Sequence, residues 1–168
     1  MDRDGDSGCS PPLGEQARLD QVFMKNALAE AERAKERGEV PVGAVVVTAD
    51  GEIIGSAHNS PLTLNDPSGH AEILALRRAG EFLRNYRLNG CTIYVTIEPC
   101  LMCAGAILHA RMKRLVYGAA DPKSGAVHSL YETLNDRRLN HRVEVSSGVL
   151  AEECASLLSS FFAEKRKS

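Results

Sequence analysis

From about Arg18 the apolar positions follow a helical period, with Leu19, Val22, Phe23 and Ala27 on one face and charges opposite. Gly38 is a plausible stop for that helix, and Pro41 follows soon after. Residues 42–47 form an almost unbroken apolar run. An Asp50-Gly51 turn signal and a second apolar run through Ile53 and Ile54 complete a hairpin that gives out near Asn59. Residues 61–69 read as a loop, and a helix is predicted from about His70, carrying Ile73, Leu74 and Leu76. Residues 92–97 are dense in β-branched side chains and read as a strand bounded by Pro99. A short helix over 99–109 and a strand over 114–117 follow.

Residues 118–140 bear Gly, Asp and Asn and are predicted to be mostly irregular, with room for one helical turn. A strand over 142–145 precedes a last helix, where Cys154, Leu157, Leu158, Phe161 and Phe162 recur at helical spacing before the basic tail Lys165-Arg166-Lys167. No internal repeat is visible. The order α-β-β-α-β-α-β-β-α predicts a three-layer α/β/α sandwich with five strands, apolar on both faces and covered by helices. The sheet must be mixed, because the first two strands form a hairpin while later ones are joined through helices.

Residues 1–14 are rich in Gly, Pro, Ser and Asp and have little to bury, so they are expected to be a disordered leader to a single domain over 15–168. The length of 168 residues suits one core. A hydrophobic content of 43% with 25% charged residues excludes a disordered chain, and no apolar run is long enough to span a bilayer. The net charge of −2 conceals a split. Residues 1–76 hold 6 basic and 13 acidic groups, whereas residues 77–142 hold 11 basic and 5 acidic ones. Such a split can give a basic face to a nearly neutral molecule, although on charge alone a solvated, salt-bridged surface is the simpler reading. The five cysteines are scattered, and the N-terminus has neither a signal sequence nor the composition of a transit peptide. A reducing cytoplasm is the expectation.

Two segments carry chemistry: His70-Ala71-Glu72 and Glu98-Pro99-Cys100-Leu101-Met102-Cys103. Cys100 and Cys103 are one helical turn apart, on a helix that Pro99 is expected to open at its first position. The dipole at that end favours thiolate, the form that zinc needs. Two thiolates and the His70 imidazole make three protein ligands and leave a tetrahedral zinc one position for water. In a regular helix His70 and Glu72 would diverge by about 200°. Both can face one metal only if His70 stands at the very start of its helix; Glu72 is then a carboxylate beside the metal and not a ligand. A closed zinc knot would need a fourth ligand, and Cys9, Cys91 and Cys154 belong to no second paired motif. A redox CxxC would leave His70 and Glu72 unexplained.

H-x-E followed by P-C-x-x-C is the signature of zinc-dependent nucleobase deaminases. Val40-Pro-Val-Gly-Ala44, Asn59 with Asp66-Pro67, the stretch from Glu98 to Ala106, Tyr117-Gly-Ala-Ala-Asp-Pro-Lys-Ser-Gly125 and Asn140-His-Arg142 extend the likeness over roughly residues 18–166. In these segments the chain resembles the bacterial tRNA-specific adenosine deaminases, within the cytidine/deoxycytidylate deaminase-like family. At His128 it departs from them, because the resemblance implies a small residue there, usually Gly, and so a locally different loop. The resemblance implies hydrolytic conversion of adenosine to inosine at the wobble position of a tRNA anticodon stem-loop. It also implies one zinc per chain, a homodimer and substrate contact by Asn59. The apolar helix over 101–107 is a candidate dimer surface.

Glu72 would move protons between water, the ring nitrogen and the leaving ammonia. The Ala71 N–H is a candidate donor to the base. Asn59 by itself could equally be a turn residue at a strand end, and Glu98 reads as a cap for the cysteine helix. In the 119–124 loop, Asp121 is a candidate acceptor for a ribose 2′-OH and Lys123 a candidate phosphate contact, while shaping the turn is an equal reading of Asp121. His58 and His109 read as surface or packing residues, and Met24, Met102 and Met112 as core fillers. Two rivals stand: a deaminase of a free base such as guanine or cytosine, and a non-catalytic zinc module that binds RNA. With no Trp in the chain a stacking platform for several bases is not expected, and one flipped-out base fits better.

Overall fold

The apolar run at the first strand alternates between two cores. In β1 (Gly43–Val47) every residue is buried; Ala44 and Val46 face one hydrophobic cluster, Val45 and Val47 the other. That pattern requires cover on both faces of the sheet. The computed structural model, which describes residues 13–167, supplies it. The chain runs α1 (Leu13–Glu36), β1, β2 (Ile53–His58), α2 (Pro61–Leu64), α3 (Ala71–Leu83), β3 (Thr92–Ile97), α4 (Leu101–His109), β4 (Arg114–Ala119), a 3₁₀ turn (Thr133–Asn135), β5 (Glu144–Ser147) and α5 (Ala151–Lys167). The five strands form one mixed sheet in the order β2-β1-β3-β4-β5. β1 is antiparallel to both of its neighbours, and β3, β4 and β5 are parallel. Helices α1 and α5 cover one face, and α3 and α4 the other. This is the expected three-layer α/β/α sandwich.

Several boundaries differ from the reading above, each for a physical reason. Helix α1 begins at Leu13, inside the expected 1–14 leader; the rest of that leader lies outside the described residues. Its inner face consists of Met24, Ala27, Ala31 and Ala34, whereas Leu19 and Val22 are 42% and 51% exposed. Small side chains face inward because the helix backbone lies directly on β1. A Cβ at Gly43 would sit 2.0 Å from the Ala27 carbonyl oxygen. The 61–69 segment is not all loop, since α2 is a single turn whose N-terminal N–H groups need an acceptor. Buried Glu39 supplies one, accepting from the N–H groups of Leu62 and Thr63 and from the Thr63 hydroxyl. Helix α4 starts at Leu101 with Cys100 as its N-cap, so Pro99 precedes the helix. Strand β5 lies two residues later than expected, in register with β4 through Arg114 and Glu144.

A buried ion pair ties the α1 layer to the sheet. Asp20 accepts from Arg114 Nη1 and Nη2 at 2.8 and 2.7 Å and from the Tyr94 hydroxyl at 2.8 Å. Burial pushes its carboxyl up, but the bonds from Arg114, Tyr94 and Gln16 outweigh this and hold it below the ordinary range. Among the described residues no helix is long and apolar enough to cross a membrane. Because β2 and β3 are both antiparallel to β1, the C-terminal ends of β2, β3 and β4 share one edge of the sheet. Segments carrying the chemistry leave from that edge, where open α/β sheets bind ligands.

Candidate metal centre and active site

His70 is the N-cap of α3 and Cys100 the N-cap of α4, both with extended backbones. Neither side chain caps its own helix, which leaves both free to meet at a common point. The Nδ1 of His70 lies 3.6 Å from Cys100 Sγ and 3.5 Å from Cys103 Sγ. All three donor atoms fall within 4.8 Å of one another, and Glu72 is not in the group. Two sulfurs and one imidazole nitrogen this close are the donor set zinc takes, with three protein ligands and one position left for water. The expected His70, Cys100 and Cys103 trio is therefore brought together, and the residues fit the metal that the deaminase family uses. Cys91 and Cys154 are buried away from it, each in a different hydrophobic cluster.

The three donors set one another's proton affinities, and a metal would displace the protons that His70 and Cys103 hold. Hydrogen bonds from Cys103 and His70 push the Cys100 thiol down to about 4, and its bond to Cys100 pushes His70 up. The bond to Cys100 and burial push Cys103 up. Cys100 thus holds the thiolate, at a helix N-terminus whose dipole favours it. Glu72, in the first turn of α3, is 4% exposed, and burial raises its carboxyl above the usual carboxylate range. Its carboxyl is electrostatically coupled to His70, Cys100 and Cys103, which places it beside the trio. With His70 at the cap, the divergence of residues two apart in a helix does not apply.

Asn59 and Ala71, read separately from the sequence, are bonded to each other. The Asn59 Oδ1 accepts from the Ala71 N–H at 2.8 Å, so that N–H is already engaged. Asp121 Oδ1 accepts from the N–H groups of Lys123 and Ser124, which gives it the turn-shaping role, and the Lys123 side chain is exposed. The expectation for Glu98 is corrected. Its carboxylate turns away from α4 and accepts from the N–H groups of Asp121, Val127, His128 and Ser129 and from the Ser129 hydroxyl. Burial works against it, but these bonds push its carboxyl down to about 2. His128 leaves its side chain exposed, 6.2 Å from the Tyr117 ring, and its backbone is outside the left-handed region, so a side chain is tolerated there. His58 is a packing residue: its Nδ1 lies 3.0 Å from Glu30 Oε2, and its buried Nε2 has no partner. No local pattern signals Glu39 or Glu98, whose partners are more than twenty residues away.

Residues 19–166 match the MafB19-like deaminase family. A tRNA-specific adenosine deaminase of Haemophilus influenzae is 50% identical over 152 residues, covering 90% of this chain and 88% of that one. The tRNA-specific adenosine deaminase of Bacillus subtilis is 50% identical over 148 residues, covering 88% and 91%. A structure from work on A-to-I editing by tRNA:A34 deaminases at the wobble position of transfer RNA superposes with a TM-score of 0.78 at 48% identity, covering 82% of this chain and 99% of that one. The chain belongs to the MafB19-like deaminase family and, within it, groups with the tRNA-specific adenosine deaminases.

Proposed function

We propose that the protein hydrolyses the 6-amino group of adenosine in tRNA, giving inosine and ammonia, at the wobble position of an anticodon stem-loop. The observation that carries this is the His70, Cys100 and Cys103 trio with buried Glu72 beside it, in a chain at 50% identity to tRNA-specific adenosine deaminases. His70, Cys100 and Cys103 would hold one zinc, which would supply the Lewis acidity that lowers the pKa of water toward neutrality. Glu72 takes a proton from the attacking water, returns one to the ring N1, and assists departure of ammonia from C6. A carboxylate whose proton affinity burial has raised suits both transfers. Asn59 keeps its amide donors for the base, since its oxygen is bound to Ala71. Ala71 fixes Asn59 against the start of α3 and does not itself donate to substrate.

Lys123, exposed on the loop after β4, meets a phosphate, and Asp121 offers its second oxygen to a ribose 2′-OH. The domain is a single unit that α1 extends back to Leu13. A tRNA substrate and free thiols go with a reducing cytoplasm. We further infer a homodimer. Leu101 and Met102 are 52% and 39% exposed at the start of α4, and a groove of about 700 Å³ between α3 and α4, lined by Ile73, Leu76, Tyr86, Leu88 and Ala106, adds further apolar surface. Ile107 is wholly buried in the chain's own core and takes no part in that surface.

The test is incubation of the purified protein with an anticodon stem-loop bearing a wobble adenosine and, in parallel, with free adenosine, guanine and cytosine. Inosine formed in the stem-loop with release of ammonia supports the reading. Turnover of a free base alone would replace it with a small-molecule deaminase, and RNA binding without turnover with a non-catalytic module. Sedimentation equilibrium tests the dimer.

A further inference from the structure

Glu98 follows β3 and stands two residues before Cys100, yet its side chain serves another segment. Five hydrogen bonds converge on it: from the N–H groups of Asp121 (3.1 Å), Val127 (3.0 Å), His128 (2.9 Å) and Ser129 (3.0 Å), and from the Ser129 hydroxyl (2.5 Å). A carboxylate is an acceptor with about four lone-pair sites, so this one is saturated. It is 3% exposed, and the loop closes over it so tightly that a Cβ at Gly125 would lie 2.3 Å from its Cδ. Main-chain bonds run alongside: Glu98 N–H donates to Ala119 O, and Ala126 N–H to Pro99 O, each at 2.9 Å. The 119–129 segment is thus wrapped around a group rigidly joined to the metal-binding helix start, while its tip, with Pro122, Lys123 and Ser124, is exposed.

We propose that Glu98 is a positioning residue for the RNA substrate. It holds the 121–129 loop at a fixed offset from Cys100, so that the loop can contact the RNA backbone while the target base occupies the site. This rests on the reading above that the loop touches RNA. Glu98 acts through the loop and touches no reacting atom. Loss of its bonds should therefore weaken binding of RNA more than it slows the bound substrate.

The test uses zinc-loaded Glu98→Gln, Glu98→Asp and Ser129→Ala. Gln keeps the size of Glu98 but turns an NH₂ toward N–H donors; Asp restores the charge on a shorter stem. For Glu98→Gln the KM for the stem-loop, and the Kd for a stem-loop already carrying inosine, should rise about tenfold or more, with kcat at saturating RNA within about threefold and zinc still one per chain. Glu98→Asp should recover part of the loss, and Ser129→Ala should shift KM severalfold in the same direction. Loss of zinc, or a fall in kcat at unchanged KM, would overturn the proposal by tying Glu98 to the metal segment. If Glu98→Gln does not fold, Ser129→Ala decides: an unmoved KM overturns the proposal. Wild type that fails to convert the stem-loop would instead sink the tRNA reading and take this inference with it; wild type that converts it while the variants leave KM unmoved sinks this inference alone.

Discussion

The side-chain oxygen of Asn59 accepts a 2.8 Å hydrogen bond from the backbone N–H of Ala71, which joins the end of β2 to the first residue of α3. One bond thereby sets the helix start that carries both His70 and Glu72, and it divides the work of the amide. The oxygen is spent on the helix start, which leaves the two donors on nitrogen for the substrate contact proposed above. Asn59→Asp keeps the acceptor, beside a helix N-terminus where negative charge is favoured, and removes the donors. It should leave zinc content intact and the thermal midpoint within about 2 °C, while turnover falls at least tenfold. Asn59→Ala should lose zinc retention as well. An Asp variant with wild-type kcat/KM would take the amide donors out of substrate recognition.

The metal centre makes a paired prediction. Cys100→Ala and Cys103→Ala should each lose zinc and activity together, because the remaining two ligands do not hold the ion. Glu72→Gln should retain one zinc per chain and RNA affinity while turnover falls by about 10²–10⁴, the span of a lost general acid–base group. Elemental analysis alongside single-turnover kinetics separates the cases. Full activity after exhaustive chelation would remove zinc from the reaction, and a Glu72 variant depleted of zinc would make that carboxylate a ligand.

Asp121 offers a test of how RNA is told from DNA. Its Oδ1 is spent on the turn, accepting from Lys123 and Ser124, and Asn preserves that acceptor. Asp121→Asn therefore changes only the other oxygen and the charge, which otherwise repels the phosphate backbone. RNA deamination should weaken, and the penalty against a DNA stem-loop of the same sequence should ease. An RNA-to-DNA ratio equal to that of wild type would leave the residue with turn-shaping alone.

Acid stability follows from Asp20. Its folded carboxyl lies below its unfolded value of about 3.9, so the stabilisation is fully present above that value and is lost as pH falls through the folded one. Asp20→Asn leaves Arg114 buried without its charge partner, which costs on the order of 3 kcal/mol at neutral pH. In thermal melts from pH 7 to pH 2 the variant should start lower and decline less steeply. Parallel profiles would assign the acid transition to other carboxylates.

What could be read ahead of the structure was whatever rests on neighbours in the chain. The helix start at His70, the one-turn spacing of Cys100 and Cys103 and the Asp50-Gly51 turn are local, and so the trio and the hairpin were legible. Contacts between distant segments were not. Glu39 caps a turn 23 residues on, Glu98 binds a loop up to 31 residues on, and each looks from sequence like an ordinary acid. The face of α1 was misjudged for a different reason: apolar periodicity weights large side chains, while the close seat on Gly43 demands alanines. Gly43→Ala should accordingly cost on the order of 3 kcal/mol, whereas Val22→Ser should fall within about 0.5 kcal/mol of wild type, as chemical denaturation can measure.

His70 lies 30 and 33 residues from the two cysteines, across one helix, α3, and one strand, β3. Such separation makes the complete three-donor site a property of the finished fold, present only where β1 is paired with β3 and both helices are docked, so a substitution that loosens either helix from the sheet also loosens the metal site.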